Sequence, residues 1–508
     1  MQGKEGKTTE NRASAGGHKM YKRHTGQISM LENPKFFGSL PLDPNNEWIR
    51  LSKIVPWHEF DLKYRENFKS KKGQPACDSR MALGAMLIKV RYKGMSDEDI
   101  TCEIAMNPYL QFFLGLHEYR YECPFDPSMM TRFRQRISPE MIAWVNDRIT
   151  ERDKGKDDDS QEPPAGERGG STPEPSEASP KESNQGTLIL DATCVPQAIR
   201  FPTDAALLNE AREKTEAIID VLHENKMTDG TKPRTYREEA RKQYNGFSKC
   251  RKKSVKMIRA TIRKQLAYLR RNLSHIDSIV NLNPDCLERY LSKYQREQLQ
   301  VISLLYLQQQ EMYRDKKHQV DNRIVSLSQH WIRPIVRGKA TAAVEFGAKV
   351  EMSVVNGFLR IEDLRWDAFN ESTTLQSSAE KYKRDYGHYP TRILADTIFR
   401  TRENLKFCAQ HGIHMNGPKL GKPHADPMER KRQKKLEWLE SGERGEIERL
   451  FGVGKRRYTL DRIVTKLKES SEVSIHAAVL YINLRKKLRL LLRSFFEFLF
   501  QMANLACY

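Results

Sequence analysis

A run of 36 residues, Glu151 to Gly186, divides this chain of 508 residues. It contains no Val, Ile, Leu, Met, Phe, Trp, Tyr or Cys, and Pro, Gly and Ser supply fifteen of its positions. Because such a segment cannot bury an apolar core, we expect residues 151–186 to be a disordered acidic linker. We also expect a disordered basic N-terminus over residues 1–34. The sequence therefore predicts separately folded regions on the two sides of the linker.

The charge of the chain indicates a polyanionic partner. Lys and Arg number 87 against 66 Asp and Glu, for a net charge of +21, and the linker itself is acidic. Nucleic acid is the commonest partner of so basic a protein, although a merely basic soluble enzyme has the same composition. The first residues lack the apolar run of a secretory signal, and the eight cysteines form no C-x-x-C pair. We expect a cytoplasmic protein without a membrane partner.

The sequence predicts a small all-α domain in the region before the linker, residues 35–150. Apolar residues at helical spacing predict a helix over 80–92, and further helices are expected over 96–104, 109–115 and 126–137. The last of these carries three arginines: Arg132, Arg134 and Arg136. A cluster of short helices that ends in an arginine-rich one is compatible with a DNA reader, and equally with a packing or dimerisation module.

The region after the linker mixes strands and helices, which predicts an α/β domain over residues 187–480. Short apolar strands are expected at 187–191 and 391–396, and a hairpin at 348–366 turns at Asn356-Gly357. An insertion at about 204–330 has the heptad spacing of a helical hairpin, with a strongly basic start. Residues 481–508 are expected to form a C-terminal amphipathic helix.

Two of the predicted strands end in an aspartate, Asp191 and Asp396. Carboxylates at strand ends meet at the edge of a sheet, where Mg²⁺ prefers hard oxygen ligands and two ions can drive phosphodiester displacement. Each aspartate alone is as readily a turn residue or a helix cap. The pair, in so basic a protein, favours a metal site.

A third acid is expected on a downstream helix, where Glu446 and Glu448 are candidates. At about 100° per residue, Arg444, Glu448 and Lys455 lie within about 40° of one another, and Glu446 lies about 160° from Glu448. This spacing favours Glu448 as the carboxylate that shares a face with two phosphate-binding cations. The alternative is a solvated face of ion pairs.

These residues carry a resemblance to a known family. Arg444-x3-Glu448-x6-Lys455 resembles the signature around the last acid of bacterial insertion-sequence transposases of the DDE type, although Ser441 stands where the signature has Tyr. The segment LADTIFRTREN around Asp396, the DAT after the first strand and the run 332–355 are similar to the same family. Residues 81–137 resemble the helical domain that precedes its catalytic core.

The resemblance implies a fold, an activity and a set of site residues. The fold is a ribonuclease H-like mixed sheet with flanking helices, here with an inserted helical hairpin. Mg²⁺, or Mn²⁺ in its place, would be held by Asp191, Asp396 and Glu448, which cut the ends of a mobile element and join the 3′-hydroxyl to target DNA. The candidate DNA contacts are Arg444, Lys455, Arg456, Arg402, Lys339, Arg132 and Arg134.

The same resemblance implies the partners and leaves two rival functions open. The partner is double-stranded DNA, as terminal inverted repeats and as target, bound by a homodimer or larger assembly at the bacterial nucleoid. A metal-dependent nuclease on the same fold would use the same acids without strand transfer. A non-catalytic DNA-binding protein derived from a transposase is the second rival, which the presence of all three acids disfavours.

Overall fold

The computed structural model describes residues 42–68, 76–151, 184–228, 230–339, 342–418 and 426–506. The predicted disorder of residues 1–34 lies outside the described residues, as does that of the linker except at residues 151 and 184–186. The chain divides into two compact units. One comprises Met1–Gly170 together with His476–Tyr508, and the other Ser171–Ile475.

The first unit is built from helices, as predicted. Polar caps begin several of them: Asn46, Asp78 and Asn107 each accept a hydrogen bond from the first turn, and Ser96 forms a capping box with Asp99. The helices are α1 (Glu47–Ile54), α2 (Trp57–Arg65), α3 (Ser79–Arg91), α4 (Asp97–Met106), α5 (Pro108–Phe113), α6 (Met129–Arg136) and α7 (Pro139–Glu151).

The second unit opens with a strand followed by a helical insertion. The strand is β1 (Thr187–Pro196), and the insertion contains α8 (Asp204–Glu224), α9 (Arg237–Lys249), α10 (Val255–Leu282), α11 (Cys286–Tyr290) and α12 (Lys293–Asp315). The insertion is thus larger than the predicted hairpin, because α8 packs against α10 and α12, and α9 packs against α10 and α8. Leu208, Leu269, Ile302 and Leu305 form its buried centre.

The remaining strands alternate with helices. They are β2 (Arg333–Lys339), β3 (Ala342–Val355), β4 (Phe358–Arg365), α13 (Leu375–Tyr386), β5 (Arg392–Leu394), α14 (Arg402–Gln410) and β6 (His414–Met415). The β3–β4 turn is the predicted one: Asn356 and Gly357 have φ of 51° and 78°, a left-handed pair that Asn and Gly tolerate best.

The six strands form one mixed sheet in the order β2-β3-β1-β5-β6, with β1 at the centre. The strand β4 also pairs with β3. β3 is antiparallel to β1, and β5 and β6 continue the sheet in parallel. Both β2 and β4 lie along the edge of β3 that faces away from β1, one on each half of this long strand. The prediction of an α/β fold with a mixed sheet is confirmed.

The two faces of the sheet are covered differently. Leu188 and Leu190 of β1 pack into an apolar cluster with Leu375 and Ala379 of α13. Because side chains alternate along a strand, Asp191 lies on the opposite face. A long helix, α15 (Pro427–Arg457), contacts β1, β5 and β3.

The last helix, α16 (Lys468–Ala506), begins in the second unit and ends in the first. It starts 13 residues before the predicted C-terminal helix at residue 481. Within the first unit, Tyr481 donates a hydrogen bond to Glu47, and Asn483 donates one to Asn146. The helical domain before the linker is therefore completed by residues from the far end of the chain.

Candidate active site

Asp191 lies within β1, and Asp396 lies two residues beyond the end of β5, the parallel neighbour of β1. The register pairs Leu188 with Ile393 and Ile189 with Leu394, so two residues further along each strand Asp191 comes beside Asp396. Asp191 accepts a hydrogen bond from the backbone N–H of Ala192 at 2.8 Å. Parallel pairing thus brings together two aspartates that are 205 positions apart in the sequence.

Asp396 lies at the exit of β5, where it caps a 3-10 turn. Its Oδ1 accepts hydrogen bonds from the backbone N–H of Thr397 at 2.6 Å and from the Thr397 hydroxyl at 3.3 Å. Oδ1 is therefore oriented by its neighbour in the chain. Asp396 thus acts as a turn cap, the alternative role that the sequence left open. It also lies beside Asp191.

The helix α15 brings Arg444 and Glu448 to the same place. Arg444 Nη2 is 2.9 Å from Glu448 Oε1, and Nη1 is 4.0 Å from Asp191 Oδ2. The helix is anchored through Ile447 and Phe451, which are buried, and Glu448 is exposed beside them. The glycines at 452 and 454 do not interrupt the helix, which continues to Arg457.

Glu446 lies elsewhere. It lines an open groove of about 920 Å³ together with Ile189, Trp438, Glu443 and Arg449. The structure therefore places the two candidate glutamates apart, as the helical angles predicted: Glu448 is joined through Arg444 to Asp191, whereas Glu446 faces the groove.

The carboxyl of Asp191 has a raised pKa. Burial raises the pKa of Asp191 to about 6, opposed by the hydrogen bond from Ala192 and by the charge of Arg444. The negative charges of Glu371 and Asp396 raise this pKa further. Burial is thus the main cause of the raised pKa of Asp191, and a cation bound beside this carboxylate would favour its charged form.

Glu371 is the acid that sequence reasoning missed. It begins a 3-10 turn between β4 and α13, and this turn contacts the one capped by Asp396. Lys349 Nζ lies 2.9 Å from Glu371 Oε1 and also donates to the carbonyl of Phe369. Glu371 follows the predicted strand at 358–366, and an acid after a strand is the same pattern that identified Asp191 and Asp396 as candidates.

The basic candidates on the second unit differ in position. Arg402 is exposed at the first turn of α14, six residues after Asp396. Arg456 is exposed near the end of α15, where it donates to the carbonyl of Gly452. Lys455 is partly buried one residue earlier. The side chain of Lys339 lies outside the described residues.

The two arginine candidates on α6 also differ, and one of them needs correction. Arg134 is buried and pairs with Asp97 of α4. Although burial tends to raise the pKa of Asp97, hydrogen bonding and charge from Arg134, aided by Lys89, hold it below its usual range. A guanidinium enclosed in this way joins two helices and is not presented to DNA. Arg132 is exposed on the same helix and remains a candidate contact.

The donors suit a hard divalent cation, although they do not enclose one. Asp191, Asp396 and Glu448 offer carboxylate oxygens, the ligands that Mg²⁺ prefers. Within the described ranges, no group of three or more His, Cys, Asp or Glu side chains is arranged to hold a metal ion. The guanidinium of Arg444 lies between two of the three acids.

Comparison with known proteins identifies two regions of the chain. The family model described as Transposase DDE domain matches residues 393–485, a range that contains Asp396, Arg444, Glu448 and Lys455. The model described as Transposase domain (DUF772) matches residues 39–136, in the helical unit. The resemblance to DDE transposases is confirmed. The two matches support transposase function in general, and a DDE domain implies an enzyme that processes nucleic acid.

One curated relative comes from Rhizobium meliloti, an "Uncharacterized protein ORF8 in nfe locus". It is 29% identical over 170 residues, which cover 34% of this chain and 71% of the relative. No solved structure matches the chain significantly. Among the described residues, no helix has the length and apolar character needed to cross a membrane.

Proposed function

We propose that this chain is a DNA transposase that cuts strands at the ends of a mobile element and joins the freed 3′-hydroxyl to target DNA. One observation carries the proposal: Asp396, just past the end of β5, lies beside Asp191 of the central strand, and Arg444 of α15 lies between Asp191 and Glu448. The match of residues 393–485 to a DDE domain supports the same reading of two of these acids.

The proposal includes a ribonuclease H-like fold for the second unit. Its support is topological: β4, β3 and β1 are antiparallel neighbours, β5 and β6 extend the sheet in parallel, and α13 and α14 connect β4, β5 and β6. The helical insertion enters between β1 and β2, so it lengthens the connection between these strands, each of which pairs with β3.

The chemistry would use two phosphoryl transfers at one site. In the first, the oxygen of water attacks phosphorus and the bond from phosphorus to the 3′-oxygen breaks, which leaves a 3′-hydroxyl. In the second, that hydroxyl attacks a target phosphodiester, and one P–O bond again replaces another. Mg²⁺ or Mn²⁺ at this site would activate the attacking oxygen and stabilise the leaving oxygen.

The residues of the chain supply positions and charge. Asp191, Asp396 and Glu448 would hold the metal, with Asp191 and Asp396 oriented by the N–H groups of the residues that follow them. Arg444 and Lys455 would bind the DNA backbone beside the acids, because guanidinium and ammonium groups pair with phosphate. Positioning and charge stabilisation would carry the reaction without a covalent enzyme intermediate.

The proposed partners are the terminal repeats and target DNA, bound by two or more copies of the chain at the nucleoid. The rival nuclease would share every acid and the first step. A substrate already cut to expose the 3′-hydroxyl separates the two functions, since only a transposase joins it to a second duplex.

The matched pair Glu448→Gln and Glu446→Gln tests the site. Each variant removes one negative charge from α15, two residues apart. We expect Glu448→Gln to lose Mg²⁺-dependent strand cleavage while retaining DNA affinity within about twofold, because phosphate contacts come from Lys and Arg. Glu446→Gln should cleave at nearly the normal rate. A cleaving Glu448→Gln with an inactive Glu446→Gln would move the site to the groove.

A further inference from the structure

The guanidinium of Arg444 bridges two acids of the candidate active site. It is 2.9 Å from Glu448 and 4.0 Å from Asp191, measured between the nearest nitrogen and oxygen atoms. The Arg444 side chain is 21% exposed, whereas that of Glu448 is 56% exposed. Arg444 is thus the more enclosed member of the pair on α15, and it supplies positive charge to acids from two different elements.

The charge around Arg444 is predominantly negative. Asp396 and Glu371 both act on Asp191, and Glu371 is paired with Lys349. Lys349 therefore neutralises Glu371, and Arg444 supplies positive charge to Asp191 and Glu448. An arginine side chain does not lose its proton in proteins, so this positive charge can leave the site only if the side chain moves.

A divalent cation and Arg444 would compete for the same oxygens. Mg²⁺ draws its carboxylate oxygens to about 2.0–2.1 Å, a distance that leaves no room for a guanidinium between the acids. Arg444 lies between Asp191 and Glu448, and no three described acids are arranged around a metal position.

We propose that Arg444 is an internal counter-cation of the acidic site, displaced when a divalent cation binds and thereby delivered to a DNA phosphate. The proposal deepens the proposed function, on which it rests. Pairs of this i,i+4 type are weak when partly exposed, so Arg444 can be displaced readily. A phosphate offers the displaced guanidinium a two-pronged partner of matching geometry.

Metal affinity provides the first test. Full-length wild type, Arg444→Gln and the control Arg449→Gln are titrated with Mn²⁺, and free Mn²⁺ is counted by electron paramagnetic resonance. Removing the competing cation should tighten Mn²⁺ binding about three- to tenfold in Arg444→Gln. Arg449→Gln removes the same charge from α15 on the groove side and should stay within about twofold of wild type. Unchanged or weaker binding by Arg444→Gln overturns the proposal.

DNA affinity provides the second test, by filter binding with and without Ca²⁺ in the absence of Mg²⁺. We expect Arg444→Gln to match wild type without the divalent cation and to bind about three- to tenfold more weakly with it. Arg449→Gln should show the same ratio to wild type in both conditions. A loss in Arg444→Gln that is equal with and without Ca²⁺ overturns the release step.

A third set of measurements keeps the two proposals distinguishable. If Asp191→Asn abolishes Mn²⁺ binding and Arg444→Gln binds like wild type, the counter-cation proposal fails while the proposed site stands. If neither wild type nor Arg444→Gln binds Mn²⁺, both proposals fail. Should Arg444→Gln not fold, Arg444→Lys decides: it keeps the charge but lacks the fork, so its DNA affinity should fall only with Ca²⁺ present.

Discussion

Glu351 is a carboxyl in the middle of β3 that is entirely buried. Ser378 lies at hydrogen-bonding distance from Oε1, while Oε2 has no hydrogen-bond partner among the described residues. Burial raises the pKa of Glu351 to about 7, with the neighbouring Thr374 hydroxyl opposing the rise and nearby Glu362, Asp363 and Glu371 adding to it. This carboxyl is therefore held largely protonated in mildly acidic solution.

The stability of the second unit should depend on this proton. Because the folded pKa lies above the unfolded value, the folded state binds the proton more tightly, and the free energy of unfolding falls as pH rises from about 4.5 to 7. We expect Glu351→Gln to abolish this decrease with pH, and to raise the free energy of unfolding by as much as about 3 kcal/mol above pH 7. Urea unfolding at pH 5 and pH 8.5 measures the difference, and an equal effect at both would contradict the assignment.

Arg134 and Arg132 give opposite predictions although they lie on one short helix. Arg134→Ala leaves Asp97 with Lys89 as its remaining cationic partner, so the free energy of unfolding should fall by about 2–3 kcal/mol. Arg132→Ala changes an exposed side chain and should leave stability nearly unchanged. If the helical unit reads DNA, Arg132→Ala should reduce the preference for element ends over random duplex. Thermal unfolding and competition binding separate these effects.

Single residues could be predicted from the sequence where one local rule decided their position. Asp396 follows the short strand β5 as predicted, whereas Asp191 lies inside β1, which continues to Pro196 and does not end at residue 191. Helical angles separated Glu448 from Glu446. Arg134 was read wrongly because the sequence does not show which arginine of α6 faces Asp97, 37 positions earlier. Glu371 was missed because the proximity of its turn to Asp396 arises only when α13 and α14 pack.

At the scale of elements, the basic corner between α9 and α10 is prominent. Between Glu239 and Asp277 the chain has twelve Lys and Arg residues and no Asp or Glu. Lys252 and Lys256 are exposed, whereas Lys253 donates to the carbonyls of Ser248 and Cys250. Lys252 and Lys256 are therefore better placed than Lys253 to meet phosphate.

We expect Lys252→Ala with Lys256→Ala to weaken binding to specific and random DNA by the same factor. The slope of log affinity against log salt should become shallower by about two, since each neutralised phosphate contributes about 0.9. Lys293→Ala with Lys317→Ala is the control, because both lysines lie near acidic side chains on or after α12. An unchanged salt slope in the first double variant would remove this corner from the DNA surface.

The sequence predicted the strands β1, β3, β4 and β5, the helical hairpin and the helix that carries Glu448, with errors that have physical causes. The hairpin at Asn356-Gly357 followed from turn chemistry. The strand β2 was not predicted, and β3 begins six residues earlier than expected, because residues 342–347 of β3 pair with β2 and extend past the end of β1. Helix α15 passes through Gly452 and Gly454, where packing of Phe451 against the unit outweighs the low helix propensity of glycine.

At the scale of the whole molecule, the helices of the first unit depend on α16, which comes from the other end of the chain. Its residues Tyr481 and Leu484 are fully buried, and Asn483 pairs with Asn146 within the first unit. We expect a chain that ends at residue 475 to lose amide protection against hydrogen exchange over α1–α7 while β1, β3 and β5 stay protected. A chain that ends at residue 494 retains this buried stretch and is the control. Full protection of α1–α7 in the shorter chain would contradict the shared core.

This dependence has a consequence during synthesis of the protein. A ribosome that adds about 5–20 residues per second takes roughly 15–70 s to proceed from residue 151 to residue 484. Throughout that interval the first seven helices exist without the segment that fills their core, with apolar surface open to chaperones and proteases. A messenger broken before codon 476 therefore yields a polypeptide whose first unit is never completed, and we expect such truncated copies to be degraded.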